Sequence, residues 1–199
     1  MKITKILFIL LISMGCKAQN IVPVEDLSMY QDEEYEDFHD GKYFKDVNGK
    51  LSKFYGHWRA TTSDGKVVDF YITPYVMSDN FTNGTYDKLR IRYTIKNQSG
   101  NILADTTDLP DENSYVIRGG FFGPNKVTYQ IYYQGLEARC GQNGNIFLAV
   151  IGLESTQMKY YYSVAGSIYG SNCPPGGVDQ VMPMEQLTFI KDPIDVFED

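Results

Sequence analysis

Lys88-Leu-Arg-Ile-Arg-Tyr-Thr-Ile-Lys96 alternates strictly between polar and apolar side chains. Every second residue from Leu89 to Ile95 is apolar, and the residues between them are arginine or threonine. A period of two with one polar face is typical of an antiparallel strand that is buried on one side and solvated on the other. Lys126–Tyr133 repeats the pattern. The two segments predict antiparallel β-structure.

Seven more segments have the composition of short strands, and compact Gly-, Pro- and Asn-rich turns separate them. Eight or nine such strands predict an all-β fold, namely an antiparallel up-and-down barrel, with a β-sandwich as the alternative. Between Tyr43 and Tyr55 the apolar residues fall at helical spacing, so we expect a short helix or two turns that cap one end. The predicted strands lie near 57–62, 66–73, 101–106, 115–118, 145–151, 158–169 and 186–190.

The N-terminus has the layout of an export signal. Lys2 and Lys5 precede the seven apolar residues Ile6–Ile12, and a small residue stands directly before Cys16. This predicts cleavage after residue 15 and lipidation of Cys16. The apolar run is too short to span a bilayer, which takes about 20 residues. We therefore expect a lipid-anchored protein of a bacterial envelope, on the outer membrane facing the periplasm. The alternative is a soluble protein released by cleavage after Ala18.

Acidic residues are concentrated near the N-terminus of this chain, whose formal net charge is −7. Eight of them, and no lysine or arginine, lie between Asn20 and Gly41, whereas the rest of the mature chain is close to neutral. Like charges repel and extend a segment, so residues 16–41 are predicted to be a solvated tether. A single domain is expected over 42–192, followed by a tail at 193–199. The absence of a basic patch argues against nucleic acid as a partner.

Two cysteines remain after Cys16, namely Cys140 and Cys173. Because an envelope location is oxidising, we expect them to form a disulfide. A structural zinc site would need four converging ligands, and the sequence has neither a C-x-x-C pair nor histidines at ligand spacing. No metal and no cofactor are predicted.

Gly56-His57-Trp58 follows the predicted cap and begins the first strand after it. A G-x-W triplet in this position resembles the lipocalin and calycin superfamily. The resemblance implies that Gly56 permits a tight turn and that Trp58 plugs the base of a barrel. The signal around Cys16, the lead-in 42–48, the stretch 51–58 and the terminal 184–192 also resemble a small Bacteroidetes-type envelope lipoprotein family of unknown function. That resemblance implies an envelope location and one β domain, and it implies no activity.

The usual enzyme motifs are not found. Ser167 has Ala165 and Tyr169 where a nucleophile elbow has glycines, and Gly119–Gly123 does not match a dinucleotide loop. The two histidines lie in the acidic segment and beside Trp58, and the loop carboxylates are expected to be solvated. We therefore expect a protein that is not an enzyme and has no catalytic residues.

Tyrosine is abundant, with 16 residues, and several are adjacent in sequence. Adjacent tyrosines on a strand must point to both faces, so some reach solvent or a cavity. Tyr129, Tyr132 and Tyr161 are the candidate contact residues, since a tyrosine ring offers an apolar face and a hydroxyl. The leading hypothesis is a small apolar or amphiphilic ligand inside the barrel. The alternative is a glycan- or protein-interaction module that uses surface tyrosines and loops.

Overall fold

The computed structural model describes residues 20–30, 41–80, 82–152, 154–165, 172–175 and 177–193. The all-β prediction is confirmed, because about half of the described residues are in strands and the only helices described are three short 3₁₀ turns. The 3₁₀ turns are Val24–Tyr30, Ser52–Phe54 and Ala138–Cys140. The strands are β1 (Asn20–Pro23), β2 (Lys42–Lys45), β3 (Gly56–Thr61), β4 (Val67–Asp79), β5 (Gly84–Lys96), β6 (Ile102–Asp105), β7 (Ile117–Gly119), β8 (Phe121–Phe122), β9 (Tyr129–Gln134), β10 (Asn143–Ile151), β11 (Gln157–Val164) and β12 (Leu187–Lys191).

All twelve strands belong to one sheet, in the order β1-β2-β5-β4-β3-β12-β11-β10-β9-β8, with β6 and β7 also paired to β5. The predicted lipocalin-like barrel is wrong, because this sheet is not closed. The sandwich alternative is also wrong, because the described strands form one sheet and not two. The physical reason lies at Gly119 and Gly120, which have φ of 100° and 87° and interrupt an extended segment. β7 therefore pairs with β5, whereas β8 pairs with β9.

The predicted alternation of β5 is confirmed on its apolar side. Leu89, Ile91 and Ile95 are fully buried, and Tyr93 is nearly so. They join a continuous core in which Phe70 stacks on Phe189 with ring centroids 4.6 Å apart. The largest fully buried side chains of the described residues are Trp58, Tyr129, Tyr133, Phe44, Phe54, Phe70, Phe122 and Phe189. Apart from Phe44, all of these residues belong to the main core, which aromatic side chains therefore fill.

Residues 20–30 do not behave as the predicted solvated tether. β1 pairs in parallel with β2, and Val22 and Leu27 pack with Phe44 and Tyr86 in a second apolar cluster. Tyr86 lies at an even position of β5, so this cluster covers the face of the sheet opposite the main core. The high charge density obscured an apolar pattern that is sufficient to dock the segment. The densest acidic stretch, 31–40, and the tail 194–199 lie outside the described residues.

The capping segment is also less helical than predicted. Residues 42–45 form β2, and only Ser52–Phe54 adopts a helical turn. The Asp46 carboxylate accepts hydrogen bonds from the backbone N–H groups of Lys50 and Leu51, at 2.6 and 3.0 Å. Gly49 adopts φ of 62°, which an α-helix does not accommodate. Local side-chain-to-backbone bonds therefore replace the expected helix. Across the described ranges, no helix has the length and apolar character needed to cross a bilayer.

Candidate functional site

The predicted disulfide is present, with the Sγ atoms of Cys140 and Cys173 bonded at 2.01 Å. It joins the turn before β10 to the loop after β11. Gln180 and Val178, in that same loop, hydrogen-bond to the carbonyls of Gly141 and Cys140. The bond thus fastens a long loop over one end of the sheet. Cys16, the predicted lipidation site, lies outside the described residues.

Gly56 and Trp58 occupy the first strand of the main core. Trp58 is fully buried and donates its indole N–H to the Phe54 carbonyl at 2.7 Å. The Lys191 ammonium lies 5.3 Å from the centre of the Trp58 ring. Gly56 has φ of 118°, and a Cβ there would come within 2.9 Å of Lys191 Cε. The pair therefore belongs to the packing of the core.

The three candidate tyrosines are placed differently. Tyr129 is fully buried against Phe54 and Phe122 and donates its hydroxyl to the Gly119 carbonyl at 2.6 Å. Burial raises the pKa of Tyr129 far above its usual value. Tyr129 is therefore a core residue that a ligand at the surface does not reach. Tyr132 and Tyr161 are about half exposed on the solvent face of β9 and β11.

A cleft lies on that solvent face, around the pair Phe147 and Tyr161. It is named the main cleft because it adjoins two others, although a cleft of about 480 Å³ beside Thr62 and Glu185 is larger. The two residues are direct partners across β10 and β11, and their rings are stacked with centroids 6.1 Å apart. Ala149 is two residues further along β10 and places only a methyl group between Thr128 and Lys159. This gap beside the aromatic pair produces an open cleft of about 390 Å³.

Two further clefts adjoin the main one on the same face. A cleft of about 380 Å³ shares Phe147 and Thr128 with it, on the β9 side. A cleft of about 400 Å³ shares Thr188 with it and extends to Arg59 and Ile190 on the β3 side. The three clefts form a row that crosses the strands from β9 to β3. At the usual strand spacing this row is about 19 Å long.

The polar groups of the main cleft are few and can hydrogen-bond. Thr128, Gln186 and Thr188 lie at its edges, and Lys159 is the only charged residue that lines it within the described part of the chain. The Lys159 ammonium donates to the Thr188 hydroxyl at 2.8 Å, which leaves its other protons for a ligand. An aromatic wall with a few convergent polar groups is the usual composition of a small-molecule site.

A second candidate site is the hydrogen-bond network around His57, near the end of β12. The His57 ring lies between two carboxylates, with Nε2 2.7 Å from Asp69 and Nδ1 3.4 Å from Asp192. Burial raises the pKa of the Asp69 carboxyl, but hydrogen bonds from Arg59 and His57 outweigh it and leave the pKa below its usual value. Asp192 also donates its backbone N–H to the His57 carbonyl. These contacts attach the end of β12 to β3, and the network is structural.

Phe147, Ala149 and Lys159 were not identified from the sequence. The signal was present, because the alternation of the predicted strand 145–151 places Phe147 on its wet face. A single aromatic residue at a position that the pattern assigns to solvent is common and does not by itself indicate a contact surface. Only the cross-strand register, which pairs Phe147 with Tyr161, brings two aromatic residues together.

No protein-family model matches this chain, and no curated protein or solved structure matches it either.

Proposed function

We propose that the protein is a non-enzymatic, lipid-anchored glycan-binding module of a bacterial envelope, and that the Phe147–Tyr161 cleft holds a sugar ring. The single observation that supports this most is the stacked pair of half-exposed Tyr161 and partly buried Phe147 beside the small residue Ala149. A pyranose ring has an apolar face of C–H groups that packs on aromatic rings, and equatorial hydroxyls that need hydrogen-bonding partners at the edge. The cleft offers both kinds of group.

The row of clefts favours an oligosaccharide over a single sugar. Three openings in line, each sharing lining residues with the next, offer successive positions for linked rings. A flat apolar partner would need a continuous apolar surface, whereas Thr188 and Lys159 interrupt this one. The surface therefore suits an amphiphilic chain better than a hydrophobic one.

A ligand inside the fold is a weaker proposal. The side chains that would line an interior site already pack on one another, as in the Tyr133–Tyr162 and Tyr93–Tyr133 ring contacts at 5.5 and 6.1 Å. Admitting a ligand of about 300 Å³ would require these rings to move apart, with the loss of their packing energy. The solvent face requires no such change.

The glycan proposal predicts a strong dependence on two rings. Tyr161→Ala and Phe147→Ala are each expected to weaken binding about tenfold, since a stacked aromatic contributes roughly 1 kcal/mol or more. Tyr132→Ala is the matched control, because Tyr132 is equally exposed on the same face but is not among the described residues that line the clefts. The measurement is capture on an array of immobilised bacterial glycans, followed by titration with the strongest oligosaccharide. Failure of the wild-type protein to retain any glycan would refute the proposal.

The anchoring proposal is tested separately. Expressed in a Gram-negative host, the full chain is expected to fractionate with membranes, and metabolic labelling with a fatty-acid analogue should mark it. Cys16→Ser is expected to abolish the label and to release the protein into the soluble fraction, because the acyl chains supply the membrane affinity. Cys140→Ser/Cys173→Ser, which keeps Cys16 as the only cysteine of the chain, is the control and should retain the label. A label that persists in Cys16→Ser would contradict lipidation at this residue.

A further inference from the structure

A cluster of three arginines lies on the solvent face of β5 and β7, away from the aromatic cleft. Arg90 and Arg118 are direct cross-strand partners, and Arg92 is two residues further along β5 on the same face. The guanidinium of Arg118 lies 5.9 Å from the centre of the Tyr75 ring. Such a concentration of positive charge is unusual in a chain whose net charge is −7.

One carboxylate holds two of these arginines. Asp111, in the loop between β6 and β7, accepts from Arg90 Nη1 at one oxygen and from Arg92 Nη2, at 2.6 Å, at the other. Among the described residues, Arg118 donates to a backbone carbonyl, that of Glu112, at 3.3 Å. Asp111 thus pairs with two of the three guanidinium groups, and the arginines and Asp111 together carry a net charge of about +2 at neutral pH.

Arg92 retains an unused donor at this point. Its Nη1 atom is buried and has no hydrogen-bond partner among the described residues. A buried donor without a partner costs roughly 1–3 kcal/mol, and more when it is charged. Asp111 does not contact it in this structure, because its two oxygens face Nη1 of Arg90 and Nη2 of Arg92. A group with a third acceptor oxygen in the same place would.

We propose that Arg90, Arg92 and Arg118 form a phosphate-binding site, in which the Asp111 carboxylate takes the place of the phosphate in this structure. Inorganic phosphate and phosphate monoesters have at least three terminal oxygens, and these match the planar, forked donors of arginine. It would accept from the two donors that Asp111 now holds and from Nη1 of Arg92, and it would bring the negative charge that the cluster lacks. The proposal is independent of the glycan cleft.

Binding then requires Asp111 to move away, and the loop between β6 and β7 permits this movement. Asp111 is more than one-third exposed, whereas the loop is fixed at its ends by the buried residues Thr106 and Val116. Thr106 is held by a hydrogen bond from its hydroxyl to the Tyr93 carbonyl. Phosphate would therefore displace the middle of the loop while both ends remain in place.

Inorganic phosphate is the probe for the test. In calorimetric titrations at constant ionic strength, Asp111→Asn is expected to bind phosphate at least tenfold more tightly than the wild type, because the competing carboxylate is gone. Asp108→Asn is the matched control, since it removes the same charge from an exposed position of the same loop. Arg92→Gln, introduced together with Asp111→Asn, is expected to remove the gain. Equal affinities for the Asp111→Asn and Asp108→Asn variants would overturn the proposal.

A second measurement does not depend on the folding of the Asp111 variant. The thermal midpoint of the wild type is expected to rise when phosphate replaces chloride at equal ionic strength, and that of Arg92→Gln is expected to rise less. Equal shifts in the two proteins would overturn the proposal. Retention on vesicles that contain phosphatidic acid, a phosphate monoester, but not on phosphatidylcholine vesicles would assign the site to a lipid headgroup. Phosphate binding without such retention would assign it to a soluble phosphate.

Discussion

Loss of the Cys140–Cys173 disulfide is expected to lower the free energy of unfolding by roughly 3.5–4 kcal/mol. The two cysteines are 33 residues apart, so the bond closes a loop that contains β10 and β11. Closing such a loop restricts the unfolded chain far more than the native one. For a domain of this size the loss corresponds to a fall of about 10 °C in the thermal midpoint.

Denaturant unfolding of Cys140→Ser/Cys173→Ser against the wild type measures the effect. Treatment of both proteins with dithiothreitol is the control. It should lower the stability of the wild type to that of the double variant and leave the double variant unchanged. If thiol titration shows that the wild type is fully reduced and its denaturation midpoint is nevertheless unchanged, the assignment of stability to this bond is contradicted.

Lys88 is expected to make the stability of the protein rise with pH above neutrality. The side chain is 5% exposed, and burial lowers the pKa of its ammonium from about 10.5 to about 7. The Nζ atom donates to the Gly120 carbonyl at 2.5 Å and lies 5.1 Å from the centre of the Tyr86 ring, but these contacts do not replace full hydration.

The direction of this pH dependence follows from proton linkage. Between pH 7 and pH 10.5 the folded protein has released the Lys88 proton, whereas the unfolded chain still binds it. The free energy of unfolding therefore increases with pH in this window, by roughly 2.5 kcal/mol between pH 7.5 and 9.5. Below pH 7 both states are protonated, and the full cost of burying the charge is present.

Lys88→Met isolates this contribution, because methionine is of similar length and has no proton to release. Urea unfolding at pH 7.5 and 9.5 is expected to show the rise in the wild type and its disappearance in Lys88→Met. Lys96→Met, on the same strand but partly exposed, should keep the rise. A pH dependence that is identical in the Lys88 variant and the wild type would show that the ammonium is hydrated in the folded state.

Lys88 also shows how far the sequence could predict this fold. The alternation of β5 correctly placed Leu89, Ile91, Tyr93 and Ile95 in the core, because a period of two is a local property of the strand. The same pattern assigned Lys88 to solvent, and there it is wrong. The even-numbered face of β5 near Tyr86 is covered by Val22 and Leu27. That cover comes from residues 20–30, whose charge predicted a solvated tether.

The sequence could not predict that the sheet stays open, for a related reason. The sequence predicts a turn at Gly119 and Gly120, and the backbone does turn there. Whether a turn ends a strand or only bends it depends on the surrounding backbone. A Cβ at Gly120 would come within 2.5 Å of the Gln130 carbonyl and of the Tyr129 ring, so the two segments approach more closely than a strand with side chains allows. Such long-range contacts leave no periodic signal. The pairing of Phe147 with Tyr161 depends on register in the same way.

The cleft itself is tested most directly by filling it. Ala149→Trp places an indole in the gap between Thr128 and Lys159 while leaving the main core untouched, since residue 149 lies on the solvent face of β10. The measurement is calorimetric titration of the wild type and this variant with the oligosaccharide that the wild type captures most strongly. We predict that Ala149→Trp keeps the thermal midpoint of the wild type and binds the oligosaccharide at least tenfold more weakly. Unchanged affinity in a folded Ala149→Trp variant would contradict the assignment of this cleft as the glycan site.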